Sequence, residues 1–399
     1  MRYGPDFSIA LAIIAAIALA QTVLGFTLPL LAFEMSASGT GLALIKGAGF
    51  IPNILFAIFI GVINDRTTKA RAFRSYTMGL ALVTALLCLA ALTDFVSLPG
   101  LMLFMVIFNG LSYATSNAQM TLIRLTVPHA HLSDATGLSS TVFSVISTVG
   151  PAVAGLALVA LGHIGVITAC MVLMLATAAL ARRLNPPEDL PPPQPFWPAL
   201  AEGWHVLRAN RELLMMTVVI VLTNAAAGAF DTALILKLKT AVASNDFQIG
   251  VVLAFGGLGA ITGSRFAAPL RRAMGYRAAF FWPIWALAAL YLTIIADLPI
   301  WAYCLISFLD GWLALFFAIG VWSYRQESTA AAHMGRVAGL TGAIFKIGMP
   351  PVIILSGWLT DAGALPAVLM MAAGIMAASG LFLAWVAGWG WPRLTPAQG

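Results

Sequence analysis

Lys46 and Lys346 stand well inside apolar stretches of the chain, as do the acids Asp231 and Asp310. A charge at the centre of a bilayer costs roughly 2.5–3.5 kcal/mol on insertion scales, so it meets an opposite charge or a watery cavity. Lys46 lies toward one end of its stretch, sharing a helical face with Asn53, and snorkelling is open to it. Lys346 lies too deep for that, just before Pro350-Pro351, whose rings would kink a helix and free carbonyls. For both lysines the chemistry within reach is an ion pair with Asp231 or Asp310, or contact with an anionic group of a substrate. Asp310, between Leu309 and Gly311, is a candidate proton site unless a lysine pairs with it. Asp231 is the next candidate and Glu34 a weaker third.

Uncharged polar residues recur within the apolar stretches: Gln21, then Asn109, Tyr113, Ser116 and Asn117, then Asn224. Asn109, Tyr113 and Ser116 are spaced i, i+4, i+7 and share one helical face; Asn224 and Asp231, seven apart, also align. Such a face is either wetted and in contact with substrate or spent on interhelical hydrogen bonds worth well under ~2 kcal/mol each. Catalysis has no comparable constellation. HExxH, GxSxG and Walker sequences are missing, so the chain reads as no enzyme and no ATPase. Cys88, Cys170 and Cys304 all fall inside apolar stretches and the five histidines are ungrouped, so no disulfide, metal or other cofactor is expected.

The elements that must hold these residues are membrane helices. The chain is 61% hydrophobic and 9% charged, against roughly 25% charged residues in soluble domains. Its apolar stretches run over about 8–33, 41–62, 76–93, 99–123, 136–160, 164–181, 213–236, 247–267, 278–296, 299–323, 338–360 and 365–390, and ~20 residues suffice to cross the hydrocarbon core. The net charge of +6 does not point to nucleic acid, because the basic residues, Arg66, Arg71, Arg182 and Arg271 among them, collect in alternate connections. The other set of connections carries only Lys237 and Lys239. That bias predicts both termini in the cytoplasm.

One connection is long. Residues 184–211 begin with a proline-rich, extended stretch (Pro186-Pro187, then Pro191-Pro192-Pro193) and continue with Trp197, Leu200, Trp204 and Leu207 at helical spacing, an interfacial amphipathic helix. The helix tethers two halves, 1–183 and 212–399, although binding of a regulatory partner there stays open. The halves repeat. Ala135-Thr136-Gly137-Leu138-Ser139 returns as Val337-Ala338-Gly339-Leu340-Thr341, 202 residues on, and Gly61 returns as Gly263. Asn109-Gly110 is echoed by Asp310-Gly311, one residue out of register. The duplication predicts an all-α membrane protein of twelve helices in two pseudo-symmetric six-helix bundles.

The connection Gly61-Val62-Ile63-Asn64-Asp65-Arg66-Thr67-Thr68-Lys69-Ala70-Arg71 resembles the G-x-x-x-D-R-x-x-R-R signature of the major facilitator superfamily. The resemblance implies a conformational latch at Gly61, Asp65, Arg66 and Arg71, while Arg66, Lys69 and Arg71 also serve as topology determinants. The second copy has Ala267 where the aspartate would stand. Span five resembles the antiporter signature at Gly137, Gly150, Pro151 and Gly155, small residues and a proline that allow close helix packing, and departs from it at Ile146 and Ala154. Span four has Val106 at the position of the family's arginine. The Leu190–Pro195 segment, Asn109-Gly110 and Met334-Gly335-Arg336 are similar to the drug:proton antiporter-3 group, which includes the enterobactin exporter and macrolide efflux proteins.

The resemblance implies a cavity lined by spans one, four, seven and ten and transport by alternating access. It also implies a monomer in the bacterial inner membrane, with a small molecule, protons and the lipid bilayer as partners. The resulting expectation is a proton-coupled exporter of an amphiphilic molecule with acidic or metal-chelating groups, siderophore-like or a drug. Gln21, Lys46, Asn109, Tyr113, Ser116, Asn117, Asn224 and Lys346 are its candidate substrate contacts. Uptake of a small organic anion, a lipid flippase and a non-transporting membrane receptor are the alternatives.

Overall fold

The computed structural model describes residues 5–55, 67–128, 131–184, 196–330 and 333–388, and among them every regular element is helical. In chain order these are α1 (Pro5–Ser36), α2 (Gly39–Ala48), α3 (Ile51–Leu55), α4 (Lys69–Leu92), α5 (Leu98–Thr126), α6 (Leu132–Ala181), α7 (Phe196–Ala209), α8 (Arg211–Thr240), α9 (Asp246–Thr293), α10 (Ile300–Ser328), α11 (Met334–Ile344), α12 (Met349–Asp361) and α13 (Leu365–Gly388). Helices α6 and α9 are each two spans. Gly162 turns α6 back on itself at φ 65°, ψ 178°, and Gly275 does the same for α9 at φ 77°, ψ 164°. Only glycine adopts that backbone at no steric cost. Span two contains α2 and α3; span eleven contains α11 and α12. With α7 as the connector helix, the twelve expected spans are accounted for.

Local sequence sets the helix starts. Ser97 accepts from the Gly100 N–H with a proline in the first turn of α5, Ser38 accepts from Thr40 and Gly41 to start α2, and Asn245 with Gln248 forms a capping box for α9. Leucines such as Leu82, Leu86 and Leu103 remain exposed on the outside, where lipid rather than water is the solvent.

The two bundles meet along two seams, span two against span eleven and span five against span eight. Both are tight at the face opposite the termini. A Cβ on Gly357 would fall 2.5 Å from the Gly39 carbonyl oxygen and 2.6 Å from Ala43 Cβ. Likewise, Gly155 of span five allows no side chain against Asp246 and Phe247 at the start of span eight. Toward the terminal face the helices part: a Cβ on Gly137, Gly339 or Gly342 would meet nothing within 4 Å. The described molecule is closed on one face and parted on the other.

Candidate transport site

Spans two and eleven, the helices of one seam, are both broken, and each carries its lysine at the break. In span eleven the α-helix gives way to tighter turns over Phe345–Gly348, with Ile347 N–H bonding back to Ile344 and Met349 to Lys346. Pro350 and Pro351 cannot donate, which leaves carbonyls over. The Phe345 carbonyl, passed over by the Met349 N–H, accepts instead from Asn224 Nδ2 at 2.9 Å. Span two breaks at Gly49-Phe50, two residues before Pro52, and Lys46 sits in the last turn of α2.

Between the bundles lies a chamber of about 280 Å³. Gln21, Thr22, Phe26 and Pro29 of span one line it together with Lys46, Pro151 of span five, Asp231 and Ile235 of span seven, and Leu253 of span eight. Its walls are mostly apolar and its charges are two. Lys46 Nζ stands 3.8 Å from Asp231 Oδ2, the lysine side chain 17% exposed and the aspartate 51%. This pair joins the N-terminal bundle to the C-terminal one. At that separation it is an ion pair but no hydrogen bond.

Asp310 lies behind the chamber wall, in α10. The Tyr291 hydroxyl is its neighbour, with Asp231 within electrostatic range of both. Tyr291 itself is fully buried, its ring stacked on Phe230 at 4.1 Å between centroids. Among the described residues neither Asp310 Oδ1 nor the Tyr291 hydroxyl closes a standard hydrogen bond.

The remaining candidates scatter. Gln21 Nε2 donates to Asn109 Oδ1 at 2.9 Å, while Asn109 Nδ2 donates to the Met105 carbonyl, so Asn109 is a buried strut behind Gln21. Ser116 and Asn117 bond back to carbonyls of their own helix and stand exposed, and Tyr113 is half-buried above them. Lys346 does not line the chamber, and no acid pairs with it among the described residues. Arg71 is exposed near the start of α4; Gly61, Asp65 and Arg66 lie outside the described residues. Gly150 packs against Thr22, and Pro151 and Gly155 pack against the first turns of span eight, at Gly250 and Asp246; Gly137 faces open space.

The contacts that close the opposite face were missed in the sequence. Asp361, at the end of α12, caps the start of α2: Gly39 N–H donates to Oδ1 at 2.5 Å, and Thr40 N–H and Oγ1 donate to Oδ2 at 3.0 and 2.6 Å. Ser38 Oγ adds a fourth bond at 2.5 Å. One turn beyond the chamber, Glu34 reaches Lys239 at 3.1 Å and His163 at 3.6 Å, and Lys239 reaches Asp246 at 2.7 Å. Glu34, expected as a proton site, is thus part of an ionic cluster joining the bundles. Within the C-terminal half, Lys237 donates to Asp297 at 2.6 Å and holds that exposed loop carboxyl below the usual range. On the terminal face the connector helix α7 clasps span eleven through Glu202 with Arg336 and His333. None of these acids carries a sequence mark of its role: Glu34, Asp246, Asp297 and Asp361 sit at or just beyond helix ends, where acids are common, and Glu202 lies mid-way along the connector helix.

Two six-helix bundles around a central chamber, with the two helices of one seam broken, are the architecture of a membrane transporter. The sequence model of the Major Facilitator Superfamily matches residues 10–352, and the chain belongs to that family. It is 25% identical over 350 residues to macrolide efflux protein A of Streptococcus pyogenes, with 82% of each chain covered. Its fold is that of the POT family transporter PepTSo (TM-score 0.78, 13% identity, 97% of this chain and 98% of the other). It is also that of a bacterial homologue of the human lysosomal transporter Spinster in an inward-facing, unoccupied conformation (0.73, 14%, 96% of each). The nucleoside transporter NupG matches with TM-score 0.71 and 14% identity over 96% of this chain and 100% of the other.

Proposed function

We propose that this chain is a proton-coupled exporter of amphiphilic organic molecules, acting as a monomer in the bacterial inner membrane with its termini in the cytoplasm. The observation that carries the reading is the Lys46–Asp231 pair, one charge from each bundle, in an otherwise apolar chamber. When the bundles rock about this site, the distance between the two charges must change, so protonation of the acid and the conformation of the protein are linked. Asp310, behind the same wall, is the proposed proton carrier and shares its proton with Asp231. Efflux as the direction is supported by the macrolide efflux relative and by the Gly150-Pro151 step at the span five–span eight seam. The acidic or chelating substrate expected from two lysines rests on Lys346, since Lys46 already faces Asp231.

Proteoliposomes loaded at acidic pH and diluted into alkaline buffer test the reading. Labelled erythromycin, or a fluorescent amphiphile, should accumulate in vesicles whose protein is oriented for inward pumping and should discharge when the gradient is collapsed. Equal uptake with and without a gradient overturns proton coupling. The second reading, uptake of a small organic anion, draws on Lys346, a mid-membrane cation with no acid beside it among the described residues; labelled citrate in the same vesicles decides between the two.

A further inference from the structure

Resting on the transport reading above, we propose that Asp231 is the anchor for a basic nitrogen of the substrate and that Lys46 is its resident stand-in. The chamber then takes amphiphiles that carry one positive charge flanked by apolar groups.

The contact itself argues against a purely structural pair. A charge pair taken out of water repays its desolvation only with close geometry and further hydrogen bonds on the remaining lone pairs. Here Nζ and Oδ2 are 3.8 Å apart, no hydrogen bond from the described residues reaches Asp231, and half of its side chain is exposed. The carboxylate is therefore left with most of its accepting capacity turned into the chamber. The Lys46 ammonium is already desolvated beside it and is tethered, as a substrate cation would not be.

The walls say what sort of cation fits. Phe26, Pro29, Ile235 and Leu253 surround the acid with apolar surface, which a hydrated inorganic ion cannot use and a lipophilic one can. Among the described residues no group of three acids, histidines or cysteines could hold a metal ion. Lys46 also has somewhere to go once displaced, because it lies in the last turn of α2, whose carbonyl end favours positive charge. Substrate and Lys46 are thus rivals for one carboxylate, and the apparent affinity falls by the fraction of time the lysine holds it.

Equilibrium dialysis of tetraphenylphosphonium against the purified full-length protein in nanodiscs tests this. Wild type should bind the phosphonium and not the isosteric anion tetraphenylborate. Asp231→Asn should lose about tenfold or more in affinity and Asp231→Glu should restore it, while Lys46→Gln should bind about tenfold more tightly, the rival having been removed. Tetraphenylborate bound in preference to the phosphonium, or Lys46→Gln binding the phosphonium more weakly, overturns the proposal. Gradient-driven accumulation measured on the same preparations reports separately on the transport reading. Charge-selective binding without any accumulation defeats that reading and leaves this one standing, and accumulation without charge-selective binding does the reverse.

Discussion

Asp310 and Asp231 differ in what each residue's surroundings allow. Asp231 is half in the chamber and has a cation at 3.8 Å; Asp310 has a buried oxygen without a hydrogen bond and a tyrosine hydroxyl as its neighbour. An unpaired charge in such a place is costly, which is why Asp310 is the proposed proton carrier. Substitution by asparagine keeps the shape and removes the titration. Asp310→Asn is expected to abolish accumulation against a pH gradient, by tenfold or more, and to leave exchange of substrate across vesicles without a gradient. Flux measurements under the two conditions check this, and gradient-driven accumulation at the wild-type level would mean that Asp310 carries no proton.

At the scale of elements, the two breaks and the Asp361 cap work on the same pair of helices. Spans two and eleven touch at glycines near the opposite face, where Gly357 sits on Gly39 and Ala43, and Asp361 of one supplies the missing partners for the first N–H groups of the other. A carboxylate at a helix N-terminus satisfies orphan donors and meets the positive end of the helix dipole. Removing an N-cap costs about 0.5–2 kcal/mol, which is roughly a two- to thirty-fold change in an equilibrium. Asp361→Ala should therefore raise the exposure of α2's first turn to the opposite face by about tenfold. Maleimide reaction of a cysteine introduced at Thr40 reads this directly; an unchanged rate would show that the glycine contacts alone close the seam.

The whole molecule is asymmetric about the membrane plane. Charged cross-bundle contacts and the glycine seams lie on the face opposite the termini, and the helices part on the face that bears the termini and the connector. With the basic residues concentrated on the latter, the proposed orientation has the parted face in the cytoplasm. In intact cells a membrane-impermeant maleimide should then modify a cysteine placed at Ser97, in the turn before α5, and spare one placed at Gln194 in the connector. The opposite labelling pattern would invert the topology and, with it, the direction assigned to transport.

The count of spans, the alternation of basic connections, the duplicated halves and the family signature were all legible in the chain, because apolar length and charge placement are one-dimensional properties that the bilayer reads directly. Lys46, Asp231 and Asp310 also stood out, since a charge in an apolar run is conspicuous wherever it folds. Which charge meets which was not legible. Lys46 and Asp231 are 185 positions apart, and nothing in either neighbourhood names the other; the packing of span two and span seven around one chamber made them a pair and left Lys346 without an acid among the described residues. For the same reason Asn109 and Asn224, read as possible contacts for substrate, became struts for Gln21 and for the break in span eleven. Asp361 and Asp246 carried no signal, and Lys239 stood out only as a basic residue in the set of connections that otherwise carries just Lys237, because a helix-end acid or lysine becomes a latch only when a second helix end is brought within hydrogen-bonding distance, and only the tertiary structure decides that.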